Sequence, residues 1–322
     1  MRAGLLTIMV ALALFATGCT GVVAGVALPV PNYQPYDPTD AGAALGDFTT
    51  VDPCALLDFA TLPKGLGAVR QPPQSLDDCP LDVEVAGATA HADVGELVSS
   101  TGSDVTDQQE VDGGLIMAAD KLSYGTCTAY LSFATHQVYL MAEVYVSEGD
   151  GSDALCTASQ DLAKNVATVL SRQRARHLGG VPARSLQRVD ACGTVSASVL
   201  DSVGLGTPNT YPAKHQCVWD AKSDQSDEYA QLLFLVGPTP EPVHGGTVSQ
   251  IGGRRSVVAP TAETDFAECQ IDTGGIAFGR PQQDLVEIAE VFVYSSSQTA
   301  DQVCQLGTTI AKAAWPKLPA SS

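Results

Sequence analysis

Residues 79–85 read CPLDVEV, and this stretch decides the predicted fold. After the cysteine, aliphatic residues alternate with acids, which is the two-residue period of a strand with one buried and one solvated face. Its cysteine, Cys79, is the second in a series of four that recurs later in the chain. The stretch therefore predicts an antiparallel strand whose first residue is a disulfide partner.

Two sets of four cysteines follow one another once Cys19 is set aside. Corresponding members are 138, 138, 142 and 148 residues apart, an offset that only grows along the chain, as it would after duplication and loop insertion. The spacing predicts two tandem copies of one disulfide-stapled domain. The sets are Cys54, Cys79, Cys127 and Cys156, and then Cys192, Cys217, Cys269 and Cys304.

Each copy is predicted to consist of a short helix, several strands and a longer closing helix. Leu155 and Leu162 lie on one helical stripe, and Thr299 and Gln302 have the spacing of a capping box. Because strands and helices do not alternate, we expect an α+β fold with a mostly antiparallel sheet flanked by an N-terminal and a C-terminal helix. The predicted boundaries are a signal peptide at 1–18, a lipid-anchored spacer at 19–47, a first α+β repeat at 48–178, a linker at 179–187, a second α+β repeat at 188–316 and a tail at 317–322.

Four cysteines in an oxidising compartment form two bridges, and three pairings per copy are open. Equal spans of 25 residues favour Cys54–Cys79 and Cys192–Cys217. Cys127–Cys156 and Cys269–Cys304 would then complete the set. A zinc site is the alternative, but the close ligand pairs of structural zinc sites are missing.

The amino terminus has the pattern of an export signal. Arg2 precedes the apolar run Leu5–Phe15, and the following Ala16-Thr17-Gly18-Cys19 resembles the lipobox of bacterial lipoproteins. The resemblance implies cleavage before Cys19 and attachment of diacylglycerol to its sulfur. Cleavage after Ala27, giving a secreted protein, and an uncleaved membrane anchor are the alternatives. All three place the remaining chain outside the cytoplasm, and the first places it, lipid-anchored, on the outer face of the cell membrane.

Acidic residues outnumber basic ones by 36 to 17, which argues against nucleic acid as a partner. The same balance argues against membrane attachment through a polybasic cluster. Arg172, Arg174, Arg176 and Arg184 nevertheless follow one another without an acidic neighbour. Two interpretations are open: cations at a helix C-terminus, or a basic hinge that binds a partner or is sensitive to proteases.

No catalytic motif is present, and no two of the five histidines share a metal-ligand spacing. The sequence therefore predicts no catalytic residue, metal or cofactor. Glu143 and Glu290 occupy equivalent positions in apolar strands, beside Tyr145 and Phe292. They are either on a solvated sheet face or are candidate groove carboxylates, on the floor of a groove between sheet and helix, where they would bind a cationic or hydroxylated ligand.

Two motifs resemble a known group of proteins. Asp52-Pro53-Cys54-Ala55-Leu56-Leu57 and the later Cys217-Val218-Trp219 are similar to segments of actinobacterial (mycobacterial-type) lipoprotein domains of unknown function. The layout is also similar to the extracellular sensor domains of mycobacterial serine/threonine kinases. The resemblance covers most of residues 50–316 as two units and implies an envelope location and a non-enzymatic role.

The sequence thus predicts a membrane-anchored binding or sensing module of the cell envelope. Its partner would be an envelope protein, a lipid or a cell-wall ligand. The alternatives are an envelope hydrolase with an unrecognised active site and a structural protein of envelope assembly.

Overall fold

A computed structural model describes residues 36–321 except 102–104, 135–137, 148–150, 224–226, 243–244 and 280–283. The predicted signal peptide and Cys19 lie outside the described residues. Among the helices that are described, none is both long and apolar enough to cross a bilayer.

The chain has an α+β fold built on two antiparallel sheets of seven strands each. The first sheet has the order β1-β2-β3-β7-β6-β5-β4 and the second β11-β12-β13-β14-β10-β9-β8. Read from β8, the second sheet runs β8-β9-β10-β14-β13-β12-β11. Its first to seventh strands along the chain are therefore arranged in the same order as those of the first sheet. The strands are β1 Val69–Arg70, β2 Cys79–Val85, β3 Ala88–Val98, β4 Thr106–Glu110, β5 Ile116–Ala119, β6 Thr126–Ser132, β7 Tyr139–Tyr145, β8 Leu205–Thr210, β9 Gln216–Ala221, β10 Tyr229–Pro238, β11 Thr247–Ile251, β12 Arg254–Ala262, β13 Ala267–Ala277 and β14 Leu285–Ser295.

Four α-helices occur among the described residues: α1 Ala41–Leu45, α2 Asp153–Arg172, α3 Ala197–Ser202 and α4 Ala300–Ala314. The apolar stripe of α2, including Leu155 and Leu162, is buried against β6 and β7 of the first sheet. The corresponding stripe of α4 is buried against β13 and β14 of the second. The predicted capping box is present at the start of α4, where Thr299 and Gln302 satisfy each other's backbone N–H groups.

Four disulfides join the pairs that the sequence favoured, two of them from equal spans and two as the remaining partners. Cys54–Cys79 and Cys192–Cys217 tie each N-terminal segment to the sheet that follows it. Cys127–Cys156 joins β6 to α2, and Cys269–Cys304 joins β13 to α4. Each long helix is therefore covalently held on its sheet.

The folded part extends past the predicted domain boundaries. Ala41 and Leu45, placed in the predicted spacer, are fully buried in the first core as part of α1. Leu186 of the predicted linker and Leu318 of the predicted tail are buried in the second core. Glycine- and alanine-rich composition indicated a spacer, but alanine is also small enough to pack closely in a core.

A segment of the first half completes the second half. Leu76 precedes β2, yet its side chain is 3% exposed and belongs to the second core. Its neighbour Ser75 pairs with Leu235 of β10, and Val236 N donates to Gln74 O at 3.0 Å. The two halves are thus interlocked through backbone pairing and a shared core residue.

A buried ion pair lies beside this contact. His215 Nδ1 and Asp77 Oδ1 are 2.5 Å apart, and the histidine side chain is 2% exposed. His215 Nε2 lies 3.1 Å from Gln187 O, which can only accept a hydrogen bond, so this ring nitrogen donates. Burial lowers the pKa of His215, but the Asp77 carboxylate and the Gln187 carbonyl outweigh burial and raise it. The imidazolium form is therefore favoured at the junction of the halves.

Leu76→Ala should destabilise the protein by about 2–4 kcal/mol. The substitution leaves a cavity in the second core, at the place where a residue of the first half packs into it. Denaturant unfolding measures the effect. The control Val248→Ala removes an apolar side chain that is 48% exposed and should cost less than about 0.5 kcal/mol. An equal, small effect of both substitutions would contradict the interlock.

Candidate functional site

Glu290 lies on the face of the second sheet that points away from α4. Along β14, Ala289, Val291 and Val293 are fully buried, whereas Glu290 is half-buried. A Cβ added to Gly307 of α4 would lie 3.2 Å from Val293 Cγ2, so the helix packs on the valine face. The expected groove between sheet and helix is therefore not where this carboxylate lies.

The first sheet has the same arrangement around Glu143. Ala142 and Val144 on either side of it are fully buried in the core that α2 covers, and Glu143 is half-buried on the opposite face. Glu143 thus also lies on the face opposite the helix, which corresponds to the other interpretation of the sequence, a carboxylate on a solvated sheet face. Strand alternation fixes which residues share a face, and the helix covers the face with the larger apolar area.

The carboxyl group of Glu290 is paired with that of Asp272. The two residues are direct neighbours across β13 and β14, and Gln270 Nε2 donates to Asp272 Oδ2 at 3.0 Å and to Glu290 Oε2 at 2.7 Å. Burial, with the charge of Asp272, raises the pKa of Glu290 to about 8. Burial also raises the pKa of Asp272. The raised pKa of Glu290 favours its protonated form, in which the carboxyl donates as well as accepts hydrogen bonds.

Four aromatic rings form a row next to this polar trio. The ring centroids of Tyr229 and Tyr294 are 5.4 Å apart, and those of Phe266 and Tyr294 are 5.7 Å apart. Phe292 lies 6.1 Å from Tyr229 and is the next residue after Glu290 on the same face. All four side chains are half-exposed. The surface combines an apolar aromatic platform with hydrogen-bonding groups at its side.

Cross-strand register explains why these groups meet. On the open face of the second sheet, three rows cross β10, β14 and β13. A period of two residues along each strand places every second residue of all three strands on this face. The rows are Tyr229–Tyr294–Glu268, Gln231–Phe292–Gln270 and Leu233–Glu290–Asp272. We call these nine residues, with Phe266, the aromatic–carboxyl face.

The first sheet carries a related but different group. Glu143 faces Asp93 on β3 and Thr128 on β6, and Thr128 Oγ1 donates to Glu143 Oε2 at 3.2 Å. Burial raises the pKa of both carboxyls. Tyr145, two residues after Glu143 on the same face of β7, places one aromatic ring beside these groups, and its ring centroid is 5.6 Å from that of His91. The carboxylate partner is thus on β3 in this sheet, whereas in the second sheet it is on β13.

Two strongly perturbed acids escaped the sequence analysis. Burial, with the charge of Asp93, raises the pKa of Asp78 to about 7. Burial, with the charge of Asp77, raises the pKa of Glu96 to about 8. Glu96 follows Gly95, where β3 shifts register, so simple alternation gives no information about its environment. Gly95 inside β3 is the feature of the sequence that could have indicated this irregular register.

No group of three or more histidine, cysteine, aspartate or glutamate side chains could hold a metal ion in the described part of the chain. His136 and His244 lie outside that part.

We expect stability to fall as pH rises from 5 to 8. The raised carboxyl pKa values of Asp78, Glu96 and Glu290 mean that the folded chain keeps protons that the unfolded chain releases above about pH 4. The raised pKa of His215 acts in the same direction, since its ion pair is lost as pH rises through that pKa. Tm should therefore drop by roughly 5 °C or more.

Thermal unfolding monitored by circular dichroism across this pH range measures the effect. Glu96→Gln should reduce the slope of Tm against pH, because glutamine stays neutral. Glu263→Gln, at an exposed position, is the control and should leave the slope unchanged. A Tm that stays constant or rises toward pH 8 would contradict these pKa directions.

No protein-family model matches this chain, and neither a curated protein nor a solved structure matches it significantly. The resemblance to actinobacterial lipoprotein domains therefore depends on the quoted motifs.

Proposed function

We propose that this protein is an exported lipoprotein, anchored at the outer face of the cell membrane through Cys19, that acts as a non-enzymatic binding module of the envelope. Four disulfides support an oxidising, extracytoplasmic compartment. The residues around Cys19 support the anchor, with secretion and an uncleaved anchor as alternatives.

We further propose that the two halves are tandem copies of one domain. The shared strand order, two disulfides per half and a long helix bonded to each sheet all support duplication. Glu143 and Glu290 lie on the corresponding central strands β7 and β14. The copies have diverged on their open faces, because within the described parts of the two sheets only the second has a row of four aromatic rings.

The ligand that best fits the aromatic–carboxyl face is a hydroxylated one, such as a cell-wall glycan. A sugar ring has an apolar C–H face that packs on aromatic rings, and hydroxyl groups that both donate and accept hydrogen bonds. The rings beside the neighbouring carboxyl groups of Asp272 and Glu290 offer both kinds of contact. This adjacency is the observation that carries the proposal.

A hydrolase is the second candidate, because paired carboxyls with raised pKa values are typical of glycoside hydrolysis. In the second sheet, however, Glu290 and Asp272 face each other directly and share the amide of Gln270. A general acid and its partner carboxylate would instead flank a space for the glycosidic bond. The geometry favours binding over cleavage, and a role in envelope assembly is compatible with such binding.

Tyr294→Ala should weaken binding of a soluble cell-wall oligosaccharide about tenfold, or about 1.4 kcal/mol, because it removes the ring that stacks on two others. Glu290→Ala should also weaken binding, since it removes the carboxyl group that donates to and accepts from the hydroxyl groups of the ligand. Calorimetric titration of an oligosaccharide panel measures both.

The control is Tyr124→Ala, which removes a fully exposed ring in the first half. It should bind like the unmodified protein. The proposal fails if no oligosaccharide binds, or if the Tyr294 and Tyr124 variants bind equally well.

Cys19→Ser should abolish acylation of the chain, because serine offers no sulfur for the diacylglycerol. Detergent phase partitioning and mass measurement of the mature protein test this. Thr17→Ser, which keeps a small residue in the same motif, should leave the protein membrane-bound and acylated. If the mass of the unmodified protein shows residues 1–18 still attached and no acyl group, the anchor is an uncleaved one instead.

A further inference from the structure

A pocket of about 560 Å³ opens at the C-terminal end of α2, away from the aromatic–carboxyl face. Three arginines line it, Arg70, Arg172 and Arg176, together with Asp58 and Phe59. A volume of this size accommodates a small molecule. The concentration of arginine is notable because the whole chain has only 17 basic residues against 36 acidic ones.

Each arginine is placed by a different element. Arg70 lies on β1 and pairs with Leu81 of β2. Arg172 is the last residue of α2, and the backbone of Arg176 is fixed by a hydrogen bond from Asp52 N to its carbonyl oxygen at 2.9 Å. Three separate elements thus bring three arginine residues to the lining of one pocket.

Helix capping does not account for the three arginines. α2 ends at Arg172, well before Gly179, so Arg176 lies outside the helix and Arg70 is on a strand. A carbonyl at this helix end also has another partner: the single O–H of Tyr36 lies within hydrogen-bond distance of Leu170 O and of Gln173 O, the residue after the helix. Of the two interpretations drawn from sequence, cation–dipole compensation covers Arg172 alone.

The three arginines also have no acidic partner among the described residues. Ion pairs form elsewhere on this surface, for example between Arg255 and Glu241 at 2.8 Å, but none involves an arginine of the pocket. Asp58, the acid in the lining, accepts its hydrogen bond from Ala60 N.

The charge and shape of the pocket define its ligand. Three guanidinium groups and one carboxylate give a formal charge of +2, which matches the charge of about −2 on a phosphate monoester at neutral pH. Arginine forks bind phosphate oxygens in pairs. Leu57, Val169 and the 41% exposed ring of Phe59 form an apolar wall for the organic part of the ester.

We propose that this pocket binds a phosphate monoester of a small organic molecule. It is a second binding site, on the first half of the chain, and it does not depend on the glycan site of the second half.

The test is calorimetric titration of the full chain in detergent with glycerol 3-phosphate. We expect one saturable site. Arg70→Ala and Arg176→Ala should each weaken binding at least tenfold. Arg184→Ala, which removes an equally exposed arginine from the same basic stretch but outside the pocket, should change binding less than twofold. Thermal unfolding verifies that each variant is folded, and Arg70→Lys replaces Arg70→Ala should the latter not fold.

Two further titrations define the ligand. Glycerol alone should not bind, and inorganic phosphate should bind several-fold more weakly than the ester. If inorganic phosphate bound as tightly as the ester, the pocket would not recognise the organic part of the ligand, and this part of the proposal would be overturned. Absence of ester binding, or equal binding by the Arg70, Arg176 and Arg184 variants, would overturn the site.

Discussion

The covalent attachment of each long helix to one face of its sheet is the constraint on which the rest of the structure depends. Cys127–Cys156 holds α2 on the first sheet, and Cys269–Cys304 holds α4 on the second. A bridge that closes a loop of this length contributes about 3–4 kcal/mol on the chain-entropy model. With one face of each sheet covered, alternation directs every second side chain to the other, open face. Glu143 and Glu290 are there for this reason.

A second constraint joins the halves. Leu76 packs in the second core, and the ion pair of Asp77 and His215 is buried beside it. A buried pair contributes little net stability on its own, but losing either partner leaves an uncompensated charge. Loss of the proton of His215 therefore weakens the junction, which Leu76 and the backbone pairing also support. Burial also raises the pKa values of the nearby acids Asp78 and Glu96. The ion pair of the junction and these two acids therefore all lose stability as pH rises.

Local sequence signals predicted the local structure well. Alternation identified β2, cysteine spacing identified the disulfide partners, and Thr299 with Gln302 identified the start of α4. Each of these depends on residues close in sequence or on one repeated spacing. The antiparallel α+β class also followed, because strands and helices do not alternate along the chain.

Long-range placement could not be predicted in the same way. Alternation shows that Glu290 and Phe292 share a face, but it does not show which face the helix covers. Leu76 is an apolar residue in a loop, and nothing nearby indicates that it packs in the other half. The arginine pocket combines β1, the end of α2 and the segment after it, which the sequence separates by about a hundred residues. Gly95, inside β3, was a readable signal of irregular register.

A crystal structure of the protein with a bound oligosaccharide tests the central claim most directly, because it shows which face of the second sheet is occupied. The account predicts sugar rings stacked on Tyr294 and Phe292, with hydroxyl groups hydrogen-bonded to Glu290 and Asp272. An oligosaccharide bound between α4 and the sheet, or on the first half of the chain, would contradict it.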